Sequence, residues 1–343
     1  IKPYIPGLYR PDMIKLSANE NLRGCSPHIS EALRDIPLHT YPYQYTDLIQ
    51  ALATHTQQAP DRLILGNGSD ELLLLAGLCY LSPETHSISA DQTFSQYESI
   101  AHLTGAAYTA VPLTHNQYDL TAMLQAIQPN TRVIFIANPN NPTGMCVLSD
   151  DLVAFLNQVP QDCLVILDEA YHEYTTGYLD TLALPYPNLL ITRTFSKIYG
   201  LAALRLGYAI GPAPIIADLM RAKQPFNANA MALTAGIIAL KDHAFITDSL
   251  AEVSAGRARI TAMLDDLRTQ GTPVAYCTSV ANFLLIDLPV LGREAVAYFM
   301  NHGILVRDLA SFGRPQAIRV TIGLPEHTDL FCDLFRDFIQ TLS

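Results

Sequence analysis

The stretch from Thr192 to Tyr208, TRTFSKIYGLAALRLGY, sets Lys197 between an apolar strand-like run and a glycine-tagged turn, with Arg205 eight residues further on. A lysine so placed is either an ordinary solvated side chain, the commoner case, or a nucleophile. Three other stretches bear on the choice. LGNGSDELLLL ends a strand at Gly66 and opens an apolar-periodic helix at Ser69 and Asp70. The free amides of such a helix start would hold an anion, although capping by Ser69 is the more frequent reason for the pattern. The glycine spacing is not G-x-G-x-x-G, so a dinucleotide reading is weak. IANPNNPTG, at 136–144, follows a strand with two Asn-Pro steps, which favour a plain turn. It also leaves Asn141 at a strand's carboxyl end, where its amide could donate to a ligand oxygen. LVILDEAYHEY, at 164–174, ends an apolar run in Asp168 with Tyr171 close behind. A carboxylate there requires a cationic partner or a hydrogen-bond donor, unless it merely caps a helix. His172 and Glu173 lack a second spaced histidine, so they make a poor zinc signature and no metal is expected.

In chain order these stretches supply an anion cradle, an amide donor, a carboxylate with a phenol, and an amine with an arginine. The hydroxyls of Thr194 and Ser196 flank the amine. Each suits one part of a single ligand, and pyridoxal phosphate needs all four.

Such residues must be held at strand ends. Short apolar runs at 87–89, 106–113, 132–138, 163–170, 189–195 and 205–211 alternate with helical patterns, which predicts an α/β fold with a mostly parallel sheet covered on both faces. Ligands of such sheets bind at the strands' carboxyl ends. From Pro212 the pattern changes to long helical stretches over about 229–270, then short strands in ANFLLIDL, GILVRDL and AIRVTIG, a helix near 293–301 and a closing helix from about Glu326. The expected organisation is an arm and part of a small domain over 1–45, a large domain over 46–228, and a small α+β domain with its connecting helix over 229–343.

Composition limits the function classes. Hydrophobic residues make up 49% of the 343 and charged residues 15%, which describes a compact chain with apolar surface to spare for a subunit interface. A net charge of -11 argues against duplex binding, so any anionic ligand needs a local pocket. The six cysteines lie far apart and read as reduced cytoplasmic thiols. The opening IKPYIPG carries no basic-then-apolar targeting pattern, and the absence of Met suggests that the true N-terminus is not shown. The longest apolar run, Leu72 to Leu81, is far short of the roughly 20 residues of a membrane span and reads as a buried helix.

NPNNPTG, DEAYHEY and TFSKIYGLAALRLGY resemble the motif set of fold-type I pyridoxal-phosphate-dependent aminotransferases, over nearly the whole chain. KLSANEN at 15–21, YP at 41–42, GNGSDE, RAKQPFNAN at 221–229 and RVTIG at 319–323 are similar to the histidinol-phosphate aminotransferase branch. The resemblance implies that Lys197 forms the covalent link to the cofactor aldehyde and then shuttles a proton. Asp168 would pair with the pyridine nitrogen, Asn141 and Tyr171 would bond the ring oxygen, and Phe94 would stack on the ring. Ser69, Asp70, Thr194, Ser196 and Arg205 would hold the phosphate, with Tyr41 contributed across a homodimer interface. Arg319, helped by Arg307 and Asn21, would bind substrate; the plain alternative for Arg319 is an exposed edge-strand residue.

The implied reaction is ping-pong amino transfer between histidinol phosphate and 2-oxoglutarate in a cytoplasmic homodimer. An aromatic amino-acid aminotransferase and a threonine-phosphate decarboxylase are the alternatives within the class. A non-catalytic relative would be expected to have lost Lys197, Asp168 or Arg205, and a Rossmann dehydrogenase would need the missing glycine fingerprint. The arm reads NENLRGCS where the family commonly has NENPxGPS, so Leu22, Arg23 and Cys25 are expected to alter a loop near the substrate.

Overall fold

The computed structural model describes Arg10, residues 12–175 and residues 177–342; the opening stretch read for a targeting signal lies outside them. In chain order the strands are β1 (Ile14–Lys15), β2 (Leu63–Gly66), β3 (His86–Ala90), β4 (Ala107–Val111), β5 (Thr131–Ala137), β6 (Leu164–Asp168), β7 (Leu189–Thr194), β8 (Gly207–Ile210), β9 (Ala275–Tyr276), β10 (Phe283–Asp287), β11 (Ile304–Leu305), β12 (Arg307–Asp308) and β13 (Ala317–Thr321). The helices are α1 (Pro27–Ala32), α2 (Tyr45–Thr56), α3 (Ser69–Tyr80), α4 (Gln96–Thr104), α5 (Leu120–Gln125), α6 (Ser149–Leu156), α7 (Ala213–Ala222), α8 (Ala230–Ala239), α9 (His243–Thr269), α10 (Gly292–Asn301) and α11 (Pro325–Thr341).

Seven strands form one sheet in the order β2-β8-β7-β6-β5-β3-β4. All run parallel except β8, which is antiparallel to both β7 and β2. Apolar runs form these strands because both faces are covered. Val133, Phe135 and Ile166 pack with α3, α4 and α7 on one side, whereas Ile134, Ile136, Val165 and Leu167 join the larger core on the other. Each such side chain contributes about 1.5–3 kcal/mol on full burial.

A second, antiparallel sheet has the order β12-β13-β10-β9. On the Arg10-to-Tyr45 side, β1 pairs in parallel with β11, tying the arm to the C-terminal part of the chain. One expectation is corrected. GILVRDL is not one strand: the chain changes partners at Val306, leaving β11 beside β1 and β12 beside β13. The helical stretches expected over 229–270 are α8 and α9, bent by 80° to one another. Asp242 forces the restart by accepting the Phe245 amide as the cap of α9. Helix α8 packs on α1 and α2, and Gly236 brings it against Leu206 and Leu48. Among the described residues no single helix is long and apolar enough to cross a membrane.

Candidate active site

A cavity of about 350 Å³ opens at the carboxyl edge of the large sheet. Every side chain assigned from the sequence to cofactor or substrate lines it except Tyr41 and Asn21. Reversal of β8 explains the spacing of Lys197 and Arg205. Lys197 follows the end of β7 and Arg205 precedes the start of the antiparallel β8, so both stand at one edge.

The anion cradle is built from close backbone approaches. Gly68 has a φ of +79°, and a Cβ there would lie 2.5 Å from Arg205 Nη2. A Cβ on Gly207 would lie 2.4 Å from the Ser69 nitrogen, so β8 can pass against the start of α3 only as glycine. Arg205, itself at a φ of +53°, donates to Ser196 Oγ and the Ala202 carbonyl, both at 3.3 Å, and to Asp70 Oδ2 at 3.1 Å. Thr194 Oγ1 accepts the Ser196 amide at 3.1 Å. Amides at a helix start, two hydroxyls and a guanidinium are together complementary to a phosphate dianion.

Asp168 is buried at the end of β6. Its partners are hydrogen-bond donors and not a cation: Tyr97 Oη donates to Oδ2 at 2.8 Å and Thr192 Oγ1 to Oδ1 at 3.2 Å. Burial pushes the carboxyl up to about 6, with Tyr97 opposing, Asp70 adding to the rise, and Thr192 and the Ala170 amide opposing. Asp168 does not cap a helix; the following short turn, His172–Tyr174, starts after Tyr171. Tyr97 was missed in the sequence because a tyrosine on a helix is usually core. It stacks on Phe135 at 4.9 Å and meets Phe94 edge-on at 5.7 Å.

Lys197 is not a solvated surface residue. Its Nζ donates to the Ala18 carbonyl at 3.4 Å and lies 5.6 Å from the centre of the Tyr171 ring. Asn141 Oδ1 accepts from Arg319 Nη1, whose other terminal nitrogen donates to the Ser17 carbonyl at 2.9 Å. Arg319 is buried, lies over the Phe283 ring, and belongs to an interior strand, which removes the edge-strand reading. Arg307 on β12 is its register partner, so two guanidinium groups enter the cavity from neighbouring strands.

Asn21 lies elsewhere. Its Nδ2 donates to the Ile198 carbonyl at 2.8 Å and to Ser249 Oγ at 3.1 Å, fastening the arm to the loop after Lys197 and to α9. Asn19 lines the cavity in its place. Arg23 also faces α9, pairing with Asp248 at 2.7 Å and Glu252 at 2.6 Å, so this unusual arm residue is an anchor and does not line the cavity. Tyr41 is 66% exposed and stacks on Phe226 at 4.4 Å, away from this chain's own cavity. Glu169, beside Asp168, is committed to Arg193 at 2.8 Å and to Thr181. Among the described residues no His, Cys, Asp and Glu group could hold a metal.

Comparison with known proteins agrees with this geometry. The model of the family Aminotransferase class I and II matches residues 11–333. A histidinol-phosphate aminotransferase of Geobacillus sp. (strain WCH70) is 41% identical over 325 residues, covering 93% of this chain and 88% of that protein. That of Anoxybacillus flavithermus is 40% identical, over 96% of this chain and 92% of the relative. The crystal structure of histidinol-phosphate aminotransferase from Sinorhizobium meliloti, in complex with pyridoxal-5'-phosphate, superposes with a TM-score of 0.90 at 26% identity, covering 97% of this chain and 92% of that one. With a lysine, a buried carboxylate and an anion cradle converging at the edge of such a fold, the chain belongs to the class I and II aminotransferases.

Proposed function

We propose that this chain is a histidinol-phosphate aminotransferase that uses pyridoxal 5'-phosphate and exchanges an amino group with 2-oxoglutarate. The cofactor, when bound, supplies an aldehyde to capture the amine and a protonated pyridine ring to accept electrons from the substrate Cα. The residues fit it. The glycine-lined start of α3, Ser196 and Arg205 would hold the phosphate, Asp168 would hold the ring nitrogen's proton, and Asn141 and Tyr171 would address the ring oxygen beside Phe94. Lys197 Nζ would provide the covalent anchor and, once released, would accept the proton leaving the substrate Cα and deliver it to the cofactor's former aldehyde carbon.

The carrying observation is the register pairing of Arg307 with Arg319 on the wall of a cavity that already has a separate phosphate cradle. Like charges opposite one another on adjacent strands repel, and a bound anion offsets that repulsion. Two guanidinium groups suit the dianionic phosphate of one substrate and the carboxylate of the other. An aromatic amino acid would supply no such dianion.

Initial rates with 2-oxoglutarate as acceptor test the reading. Histidinol phosphate should exceed phenylalanine and tyrosine by a large ratio in kcat/KM, and removal of its phosphate should abolish that advantage. A preference for phenylalanine or tyrosine, or carbon dioxide release from threonine phosphate, would sink it.

We further propose a cytoplasmic homodimer in which Tyr41 completes the neighbouring subunit's phosphate site. Its position outside its own cavity, beside exposed Leu38, Tyr43 and Phe226, and the free state of all six thiols support this. Light scattering on the purified protein would refute it by giving a monomer mass.

A further inference from the structure

Asn19 has no role in the reading above, yet it is among the most constrained residues of the cavity wall. It is 1% exposed and has a φ of +57°, a left-handed conformation that asparagine tolerates better than most residues. Its backbone nitrogen donates to Thr321 Oγ1 at 2.9 Å, and its carbonyl accepts from Asn282 Nδ2 at 3.0 Å. Its side-chain Oδ1 accepts from Thr321 Oγ1 at 3.2 Å, and its Nδ2 donates to Tyr171 Oη at 2.9 Å.

Thr321 Oγ1 accepts the Asn19 backbone amide and gives its single proton to Oδ1. The side-chain amide therefore presents its nitrogen to Tyr171. A phenol has one proton to give, and an oxygen that accepts from Asn19 keeps that proton for another acceptor. Donation into the phenol oxygen also strengthens the bond it makes outward. Thr321 stands two residues from Arg319 on β13, on the same face of the strand, so the residue that fixes the amide is part of the substrate-binding sheet.

We propose that Asn19 is a positioning residue that turns the Tyr171 hydroxyl proton toward the ring oxygen of the bound cofactor and strengthens that donation. This rests on the pyridoxal-phosphate reading given above. Loss of the donor chain leaves the ring oxygen holding its proton to higher pH.

Spectrophotometric pH titration of the visible band of the cofactor-loaded protein tests this. Asn19→Gly retains the left-handed backbone and its two main-chain bonds while removing the amide. It should move the midpoint upward by on the order of half a pH unit. Asn19→Asp, which still accepts from Thr321 but cannot donate, should move it in the same direction, and serves should the glycine variant not fold. In a Tyr171→Phe background neither substitution should add to the shift. An unchanged midpoint in a folded, loaded variant overturns the inference and leaves the functional reading intact, as does an equal shift in the Tyr171→Phe background. Absence of any cofactor band in the parent protein overturns both.

Discussion

The hydroxyl of Tyr97, near the start of α4, donates to Asp168 Oδ2 at 2.8 Å from a helix that precedes the carboxylate by 71 residues. With Thr192 on the other oxygen, it is a main reason that a carboxylate this deeply buried ionises near pH 6 and not higher. Cofactor affinity should therefore fall as pH drops through about 6, where Asp168 takes up its proton. In Tyr97→Phe, which keeps the stacking on Phe135, the fall should begin at higher pH. Cofactor titrations followed by fluorescence between pH 5 and 8 would expose an unmoved profile if the bond is idle.

Asp168 also makes the cofactor-free protein sensitive to pH. Its carboxyl is raised from an ordinary 3.8 to about 6, so the folded state binds a proton that the unfolded chain has released. That contribution to stability is complete below about pH 4 and is lost as pH rises through about 6. Asp168→Asn, neutral throughout, should be more stable than the parent at pH 8 by on the order of 2 kcal/mol, and equal to it near pH 4. Its activity should nevertheless collapse. Thermal unfolding of the cofactor-free proteins at the two pH values measures the difference.

Lys197→Ala should lower turnover by at least roughly 10²–10⁴-fold, the share of a positioned proton carrier. It should still bind cofactor through the cradle of Ser196 and Arg205. Borohydride treatment followed by mass spectrometry should find a cofactor adduct on the parent peptide containing residue 197 and none on the variant.

Arg319→Lys should lower kcat/KM for both substrates about 10–100-fold, chiefly through KM. A lysine cannot reproduce the planar fork that reaches Asn141 and Ser17 together. The visible cofactor spectrum should be retained. A kcat defect with an unaltered KM would assign Arg319 to something other than substrate binding.

The large sheet was legible because β5, β6 and β7 are buried on both faces and carry near-continuous apolar stretches, VIFIA, LVIL and LLI. Asp168, Lys197 and Arg205 were legible because a charged residue at the end of such a run is costly without a purpose. What the sequence hid depends on contacts distant along the chain. ANEN carries asparagines at 19 and 21, and only the positive φ of Asn19 and its bonds to Thr321 turn the first inward and the second toward α9. Tyr97 shares its apolar surroundings with any core tyrosine, and its use is visible only when Asp168 stands against it. The change of partner at Val306 leaves no local mark, since no glycine or proline separates β11 from β12 in the continuous stretch ILVRD.

Reversal of β8 also divides the site by the length of chain each part must close. The contact of Arg205 with Ser196 spans nine residues, whereas that of Arg319 with Ser17 spans 302. Loop-closure entropy rises with span, and contacts of long separation are reached late in folding. The share of the cofactor clamp supplied by Ser196, Lys197 and Arg205 is thus a local property of one turn, which the start of α3 joins across 135 residues. Recognition of the amino acid is instead assembled from segments near both ends of the described chain, and it is the part of the site most exposed to truncation, fusion or fraying at either end.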